Sequence, residues 1–331
     1  MATTTSITTT YAGEFAGQYV AASLLEAKTL SQGGITIKPN VKFKEVLKKL
    51  SLDGIVKDAT CDFADTSTIT LTERILIPEE QQVNLQICKA DFASDWEAVQ
   101  MGYSAYHDVP PTFADFVLGH IAAKVAERTE LSIWSGDTAS NGQFDGFTKK
   151  LGADADLPAA NEVAGTTVTA ANVIVELGKI VDAIPSSLYG SEGLFIYVSQ
   201  NIARAYVRAL GGFASVTQQN AAADENVGVT SIGGAGVNSQ GTMWYQNGGL
   251  MVDGVKIFVA NGLADNKAIA TTKDNLFFGT GLISDHNEVK LLDMADLDGS
   301  QNARIIMRFT AGVEYANVED IVTYGITNSA N

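Results

Sequence analysis

Cysteine and histidine are both scarce in this chain of 331 residues. Two cysteines, Cys61 and Cys88, are too few for a disulfide framework or a structural zinc site, so we expect both to be ordinary reduced residues. The three histidines, His107, His120 and His286, lie far apart, and none falls in a nucleophile, metal or general-base motif. The sequence therefore predicts no catalytic residue, no metal site and no cofactor.

Charge is also sparse, and long apolar runs are absent. Charged residues make up 18% of the chain, below the roughly 25% of average soluble domains, and the formal net charge is −16. This excess of acidic over basic residues argues against a phosphate-binding surface, because nucleic-acid-binding proteins concentrate Lys and Arg on one face. The N-terminus has no basic signal region, and no run approaches the roughly 20 apolar residues of a membrane helix. We therefore expect a soluble intracellular product without direct nucleic-acid or membrane binding.

Apolar residues are plentiful, at 46%, which is enough for a sizeable core in two domains or one elaborated domain. Residues 1–45 are rich in Thr, Ala and Gly with weak periodicity, and we expect an extended arm there. Residues 46–60 begin with mixed apolar and basic residues, which favours a short amphipathic helix and a connection.

Alternation between polar and apolar residues over 69–88 predicts two β-strands. A hairpin centred on Glu80 would place Ile75 opposite Leu85 and gather the apolar odd-numbered residues on one face. That face consists of Ile69, Leu71, Ile75, Ile77, Val83, Leu85 and Ile87. An isolated two-stranded hairpin is at best marginally stable in water, so either the rest of the chain or another copy must cover it.

A long helix is predicted from Thr112 to Trp134, directly after Pro110 and Pro111. Its length would be roughly 34 Å at 1.5 Å per residue, about twice that of an average helix. His120 lies on this helix without a second ligand at metal-binding spacing, so we expect it to pack or hydrogen-bond locally. The helix is best interpreted as a structural beam.

An α/β unit is predicted downstream, with a helix over 169–184, a buried strand over 193–199 and a helix over 200–210. The turn between strand and second helix has no glycine-rich phosphate motif, so no dinucleotide site is predicted. Residues 213–241 predict an exposed, mobile loop.

Three further strand signals follow. The dipeptide Asp253-Gly254 favours a tight turn between two short strands. Alternating segments over 303–316 and 319–326 predict two late strands near the end of the chain.

The order of these parts resembles the major capsid protein of tailed double-stranded DNA bacteriophages, of the Hong Kong ninety-seven type. The most similar stretches are the helix exit at 135–137, which leads into "FDGF" at 144–147, and the "DGVKIFVAN" hairpin at 253–261. The resemblance covers nearly the whole chain. It lies in the order and character of the predicted elements rather than in a set of residues with defined chemistry. It implies an α+β fold with an N-arm, an E-loop hairpin, a spine helix in a peripheral domain and an α/β axial domain.

The resemblance also implies a division of the chain. We expect an N-terminal arm at 1–45, a short helix and connection at 46–60, the E-loop hairpin at 61–105, the peripheral domain with the spine helix at 106–167, the axial domain at 168–282, and return strands of the peripheral domain at 283–331. The seven apolar residues of the predicted hairpin face would then contact neighbouring subunits.

The function that follows from this resemblance is structural. The chain would assemble into hexamers and pentamers of an icosahedral shell around the phage genome, made in the bacterial host cytoplasm and located in the virion. Its partners would be itself, a separate scaffolding protein or none, portal and decoration proteins, and DNA enclosed without sequence-specific binding. Two alternatives stay open: an encapsulin-type nanocompartment shell, and an α/β enzyme acting through residues near Ser199 or Asp253.

Overall fold

The computed structural model describes residues 28–51, 56, 58–59, 61, 69–88, 111–211, 250–281, 290–294 and 299–329. Within these ranges the chain forms five α-helices and thirteen β-strands. The helices are α1 (Lys28–Ser31), α2 (Pro111–Ser135), α3 (Phe147–Ala153), α4 (Val173–Asp182) and α5 (Gln200–Gly211). The strands are β1 (Thr36–Lys38), β2 (Glu45–Ser51), β3 (Thr70–Leu76), β4 (Glu79–Cys88), β5 (Glu162–Gly165), β6 (Leu194–Val198), β7 (Met251–Val252), β8 (Val255–Val259), β9 (Ala268–Thr272), β10 (Leu276–Gly279), β11 (Lys290–Asp293), β12 (Asn302–Tyr315) and β13 (Val322–Ser329).

The first sheet is organised around β12. This strand pairs antiparallel with β4, with β11 and with β10, and β1 adds in parallel to β10. Apolar residues of β12 that alternate along the strand, including Ile305, Met307 and Val313, are buried in the core. The sheet thus joins strands that lie more than 200 residues apart in sequence, since Leu85 pairs with Ile305.

The predicted long helix is confirmed as α2, which contributes its C-terminal turns to the same core. Trp134 is fully buried there, and its ring centroid lies 5.5 Å from that of Phe147 and 5.1 Å from that of Tyr197. Tyr197 belongs to β6, so this aromatic cluster ties the long helix to the second sheet.

The second sheet has the strand order β5-β13-β9-β6-β8-β7. It confirms the predicted α/β unit, because the buried strand β6 follows α4 and precedes α5 along the chain. The apolar positions that the helical spacing predicts to face the core are all buried, namely Val173, Leu177, Ile180, Val181 and, just after α4, Ile184. The predicted tight turn is also confirmed, since Asp253 and Gly254 connect β7 to β8 with φ angles of 44° and 81°. Such positive angles are what a two-residue hairpin turn requires, and Asp and Gly adopt them readily.

The predicted pairing of β3 with β4 is wrong. Strand β3 pairs antiparallel with β2, and β4 pairs with β12 over ten residues. A tight β3–β4 turn would need residues that accept positive φ, whereas Ile77 and Pro78 connect the strands and Glu79, Glu80 and Gln81 already belong to β4. The hairpin of this protein is therefore β2–β3, with residues 52–69 between its strands.

The short helix predicted within 46–60 is also wrong, because residues 45–51 form strand β2. Leu47 is buried and Lys49 is half-buried, whereas Val46, Lys48 and Leu50 are exposed. This two-residue alternation is that of a strand with one covered face.

Sheet membership differs from the predicted division of the chain at its later boundaries. Strand β10 lies in the first sheet although it was placed with the axial segment 168–282, and β13 lies in the second sheet although it was placed with the return strands. The difference arises because β13 pairs with β9 and β5 rather than with its sequence neighbour β12.

Several predictions fall on residues outside the described ranges. These are residues 1–27 of the arm, 62–68 and 89–105 of the expected E-loop segment and the loop of 213–241. Among the helices that are described, none has both the length and the apolar character needed to cross a bilayer.

Candidate assembly surface

One face of the β2–β3 hairpin presents two apolar cross-strand pairs to solvent, with the exposed pair of Lys48 and Glu73 between them. Val46 lies opposite Ile75 and Leu50 lies opposite Leu71, so these four side chains project from the same side of the hairpin. They form what we call the outer hairpin face, in which Leu50 is 59% exposed and Leu71 is 63% exposed. Large aliphatic side chains at this exposure, clustered on two strands, are typical of a surface that meets a partner.

The opposite face of the hairpin is covered by the chain's own body. Leu76 is fully buried, and Leu47 is nearly so. Leu76 lies over Gly279, where a methyl group would approach the Leu76 Cδ2 atom to 2.7 Å. At the paired position Gly312, a methyl group would approach the Ile77 carbonyl oxygen to 2.6 Å. Two opposed glycines therefore make room for the chain to cross from the hairpin into the first sheet.

Polar contacts hold the root of the hairpin. Arg74 donates a hydrogen bond of 2.5 Å to Asp154 Oδ2, and its guanidinium lies 4.5 Å above the Tyr315 ring. The Tyr315 hydroxyl donates to the same carboxylate oxygen. On β2, Lys49 Nζ lies 2.9 Å from Glu319 Oε2. These contacts fix the direction in which the hairpin leaves the body of the subunit.

The electrostatics of this root favour the ionised carboxylate. Burial raises the pKa of Asp154, but hydrogen bonds from Tyr315, from the Asp156 amide and from Arg74 outweigh that effect and hold the pKa below its usual value. Burial and the hydrogen bond to Asp154 both raise the pKa of Tyr315, so its hydroxyl stays protonated as the donor. The ion pair is consequently intact near neutral pH.

The predicted contact residues are split between two places. Ile69, Leu71, Ile75 and Ile77 are exposed on or beside β3. Val83, Leu85 and Ile87 lie on β4, opposite Met307, Ile305 and Ala303 of the first sheet. The seven residues therefore do not form one ribbon face, and Val83 packs against the subunit's own core.

Val46 and Leu50 were missed by the sequence analysis as members of the exposed face. The signal was present in "EVLKKL", where Val46, Lys48 and Leu50 occupy alternate positions. The same letters also place Val46 and Leu50 four residues apart, which suits a helix equally well.

A second site ties the start of the described chain to α2. Thr29 donates its amide hydrogen (3.1 Å) and its hydroxyl hydrogen to the Glu130 carboxylate, and Trp134 Nε1 donates to Thr29 Oγ1 at 2.8 Å. Burial raises the pKa of Glu130, and the hydrogen bonds from Thr29 oppose that rise. Glu130 carries no signal in the sequence that would have predicted its burial.

Comparisons with known proteins identify the architecture. No protein-family model matches the sequence, and no curated protein matches it. Solved structures do match: the capsid of a native GTA particle gives a TM-score of 0.59 at 13% identity, covering 93% of this chain and 93% of that chain. This is the phage capsid fold.

Two further structures agree over similar lengths. The capsid of cyanophage P-SCSP1u gives a TM-score of 0.52 at 13% identity and covers 96% of this chain and 92% of that chain. The capsid of Myoviridae phage XM1 gives a TM-score of 0.55 at 11% identity, with 93% and 94% covered. The predicted α+β class and the predicted capsid fold are thus confirmed.

The candidate catalytic and metal-binding residues have these surroundings. Ser199 is fully buried and donates its hydroxyl hydrogen to Asn201 Oδ1 at 2.6 Å. Asp253 is exposed at its turn. His120 is half-buried on α2, while His107 and His286 lie outside the described residues. Across the described ranges, no three His, Cys, Asp or Glu side chains converge as a metal site would need.

Proposed function

We propose that this chain is the shell-forming subunit of a phage capsid, which self-assembles into hexamers and pentamers of an icosahedral shell around the genome. The observation that carries the proposal is the match to capsid structures over at least nine-tenths of both chains. The outer hairpin face supports it independently, because it leaves aliphatic side chains exposed that a neighbouring subunit would cover. In this role the protein is located in the virion.

Each part of the fold receives a role in this proposal. The first sheet with α2 forms the peripheral domain, and α2 is its spine helix. The second sheet with α4 and α5 forms the axial domain. The β2–β3 hairpin is the E-loop, which moves the E-loop from 61–105 to 45–76. Residues 1–27 belong to the N-arm.

The subunit contact of the E-loop is proposed for the outer hairpin face together with the flanking Ile69 and Ile77. Ile69 is 66% exposed, and Ile77 follows β3 directly. Covering apolar area is worth about 25 cal/mol per Å², and a shell repeats this gain at every subunit. On β4, Val83 and Leu85 line a separate groove against α2, and Ile87 stays a proposed subunit contact outside the outer hairpin face.

The proposal assigns no catalytic role and no cofactor. Ser199 has an amide oxygen rather than a basic group as its hydrogen-bond acceptor, which does not support nucleophilic catalysis. The partners proposed are other copies of the chain, a scaffolding protein where assembly needs one, portal and decoration proteins, and enclosed DNA. The formal net charge of −16 favours enclosure of DNA without specific binding.

Particles purified after expression with and without the remaining structural genes test this function. Light scattering is expected to detect capsomers or shells, and nuclease-protected DNA is expected in particles from infected cells. Enzyme cargo in place of DNA would favour the nanocompartment alternative. A stable monomer under every condition would contradict both shell functions.

A further inference from the structure

An apolar groove of about 360 Å³ runs between strand β4 and helix α2. Its floor and walls are formed by side chains of β4, α2 and the core beneath them. Val83 and Leu85 line it from β4, His120, Val125 and Arg128 line it from α2, and Asn141 and Gly142 line it from the loop after α2. This helix groove is separate from the outer hairpin face, which lies on β2 and β3.

The apolar part of the helix groove is incompletely covered by the described chain. Leu85 is 44% exposed on β4, whose ladder partner among the described strands is β12. Val83 and Val125 are only partly buried against the core. An occupant with aliphatic or aromatic side chains would gain by covering these residues.

The polar groups of the helix groove narrow the chemistry of its occupant. His120 Nδ1 is buried and has no hydrogen-bond partner among the described residues. The Arg128 guanidinium donates to the backbone carbonyls of Asn141 and Gly142 rather than to a carboxylate. Buried polar atoms nearly always have partners, so the occupant should supply a hydroxyl or amide group near His120 and negative charge near Arg128.

The N-terminal segment of the same chain meets these requirements. Residues 1–27 include six Thr, two Ser and two Tyr, which provide hydroxyl groups, together with apolar residues such as Phe15 and Leu24. Their charged side chains are Glu14 and Glu26, and the segment contains no Lys, Arg or His. Its composition therefore complements an apolar groove in which Lys124 is paired with Glu127 and Arg128 has no carboxylate partner in the described contacts.

The segment ends within reach of the helix groove. Thr29 is held by Glu130, which lies on α2 about 100° around the helix axis from the groove residue Thr129, so the chain must pass around the helix to enter the groove. A path of roughly 15 Å along the helix and about 10 Å around it takes an extended chain about eight residues. Twenty-seven residues are thus more than enough to reach and line the groove without leaving the subunit.

We infer that residues 1–27 dock into the helix groove of their own subunit, with apolar side chains over Leu85 and Val125 and with Glu14 or Glu26 toward Arg128. The inference concerns a single subunit and does not depend on capsid assembly. It gives Leu85 and Val83, which do not join the outer hairpin face, an occupant that they share.

Photo-crosslinking of the full-length, unassembled chain tests this inference. The photoreactive residue benzoylphenylalanine replaces Leu85, and mass spectrometry of the digested product identifies the captured peptide. We expect crosslinks to residues 1–27, and in a mixture of light and heavy isotope-labelled chains we expect each crosslink to join peptides of one label. The same photoreactive residue at Val175, exposed on α4 in the axial unit, should not capture this segment.

A charge variant separates docking from chance proximity. Arg128→Glu should lower the crosslink yield several-fold, whereas Arg204→Glu on α5 should leave it unchanged, with thermal unfolding confirming that both variants fold. Glu14→Lys with Glu26→Lys should lower the yield in the same way without altering the groove. Crosslinks confined to residues 89–110, crosslinks joining peptides of different labels, capture of another protein or no crosslink at all would each overturn the inference.

Discussion

Two aspartates on the outer hairpin face should block assembly without unfolding the subunit. The variant is Leu50→Asp with Leu71→Asp, a directly opposed pair on β2 and β3. Because both side chains are about 60% exposed in the single subunit, the substitutions remove little of its own packing. The free energy of unfolding should therefore change by no more than about 0.5 kcal/mol per site, as is usual for surface positions.

The effect on a subunit contact is much larger. Burying a whole leucine side chain is worth about 1.5–3 kcal/mol, so covering the exposed part of each leucine is worth about 1–2 kcal/mol. Losing both removes about 2–4 kcal/mol, and burying an unpaired carboxylate adds at least several kcal/mol. Since about 1.4 kcal/mol corresponds to a tenfold change in affinity, each contact should weaken by roughly a thousandfold or more.

Sedimentation and thermal unfolding measured on the same preparations distinguish the two effects. The double aspartate variant should sediment as unassembled subunits with a nearly unchanged thermal transition. The control, Leu50→Met with Leu71→Met, keeps the face apolar and should assemble. Normal assembly of the aspartate variant would refute the reasoning, and so would its unfolding, because the face would then belong to the subunit's own core.

Three further predictions concern the subunit itself. Asp154→Asn should reduce the loss of unfolding free energy at acid pH. The pKa of Asp154 is lowered in the fold, so the carboxylate contributes about 1–2 kcal/mol above about pH 4 and loses that contribution as pH falls further. Urea unfolding measured across this pH range would contradict the prediction if both proteins lost the same free energy. Glu130→Gln should remove a decline of the unfolding free energy at higher pH. The raised pKa of Glu130 favours its protonated form in the fold, so the free energy of unfolding declines as pH rises above about 4.5. An equal decline in the variant would contradict this prediction. Gly312→Ala should lower the thermal midpoint by an amount equivalent to about 1–3 kcal/mol, because its methyl group would meet the Ile77 carbonyl oxygen. The control Gly178→Ala on α4 has open space around the added methyl group and should not destabilise the fold. Equal midpoints for the two variants would argue against the close passage of the chain at Gly312.

The features that the sequence could predict are those set by local interactions. Helix α2 begins at the second of two consecutive prolines and carries a sustained apolar pattern, and α4 places its buried apolar residues at helical spacing. The turn at Asp253-Gly254 needs two residues with positive φ, and the sequence supplies them at that point. Each of these signals lies within about twenty residues of chain.

Strand partners could not be predicted in the same way. The alternation along β3 and β4 specifies which residues share a face of each strand, but it does not specify the neighbouring strand. The partner of β4 is β12, and only the burial of Leu76 against Gly279 reveals where the chain leaves the hairpin. Proline and glutamate in the supposed turn were the one local sign against a β3–β4 hairpin.

The candidate site was predicted only in part, because local alternation does not specify which distant segments meet. The exposed apolar residues of β3 were identified by their alternation, whereas Val46 and Leu50 fit helix and strand equally well. The contact between Thr29 and Glu130 spans 101 residues and depends on how the first described turn packs against α2. No pattern in a single sequence carries such a distant pairing.

Electron microscopy of the purified protein tests the central claim most directly. If the chain forms a capsid shell, particles assembled at micromolar concentration, alone or with a scaffolding protein, should be closed, uniform in size and built of rings of five and six subunits. A population that stays monomeric in both conditions, or that forms only irregular aggregates, would contradict the account.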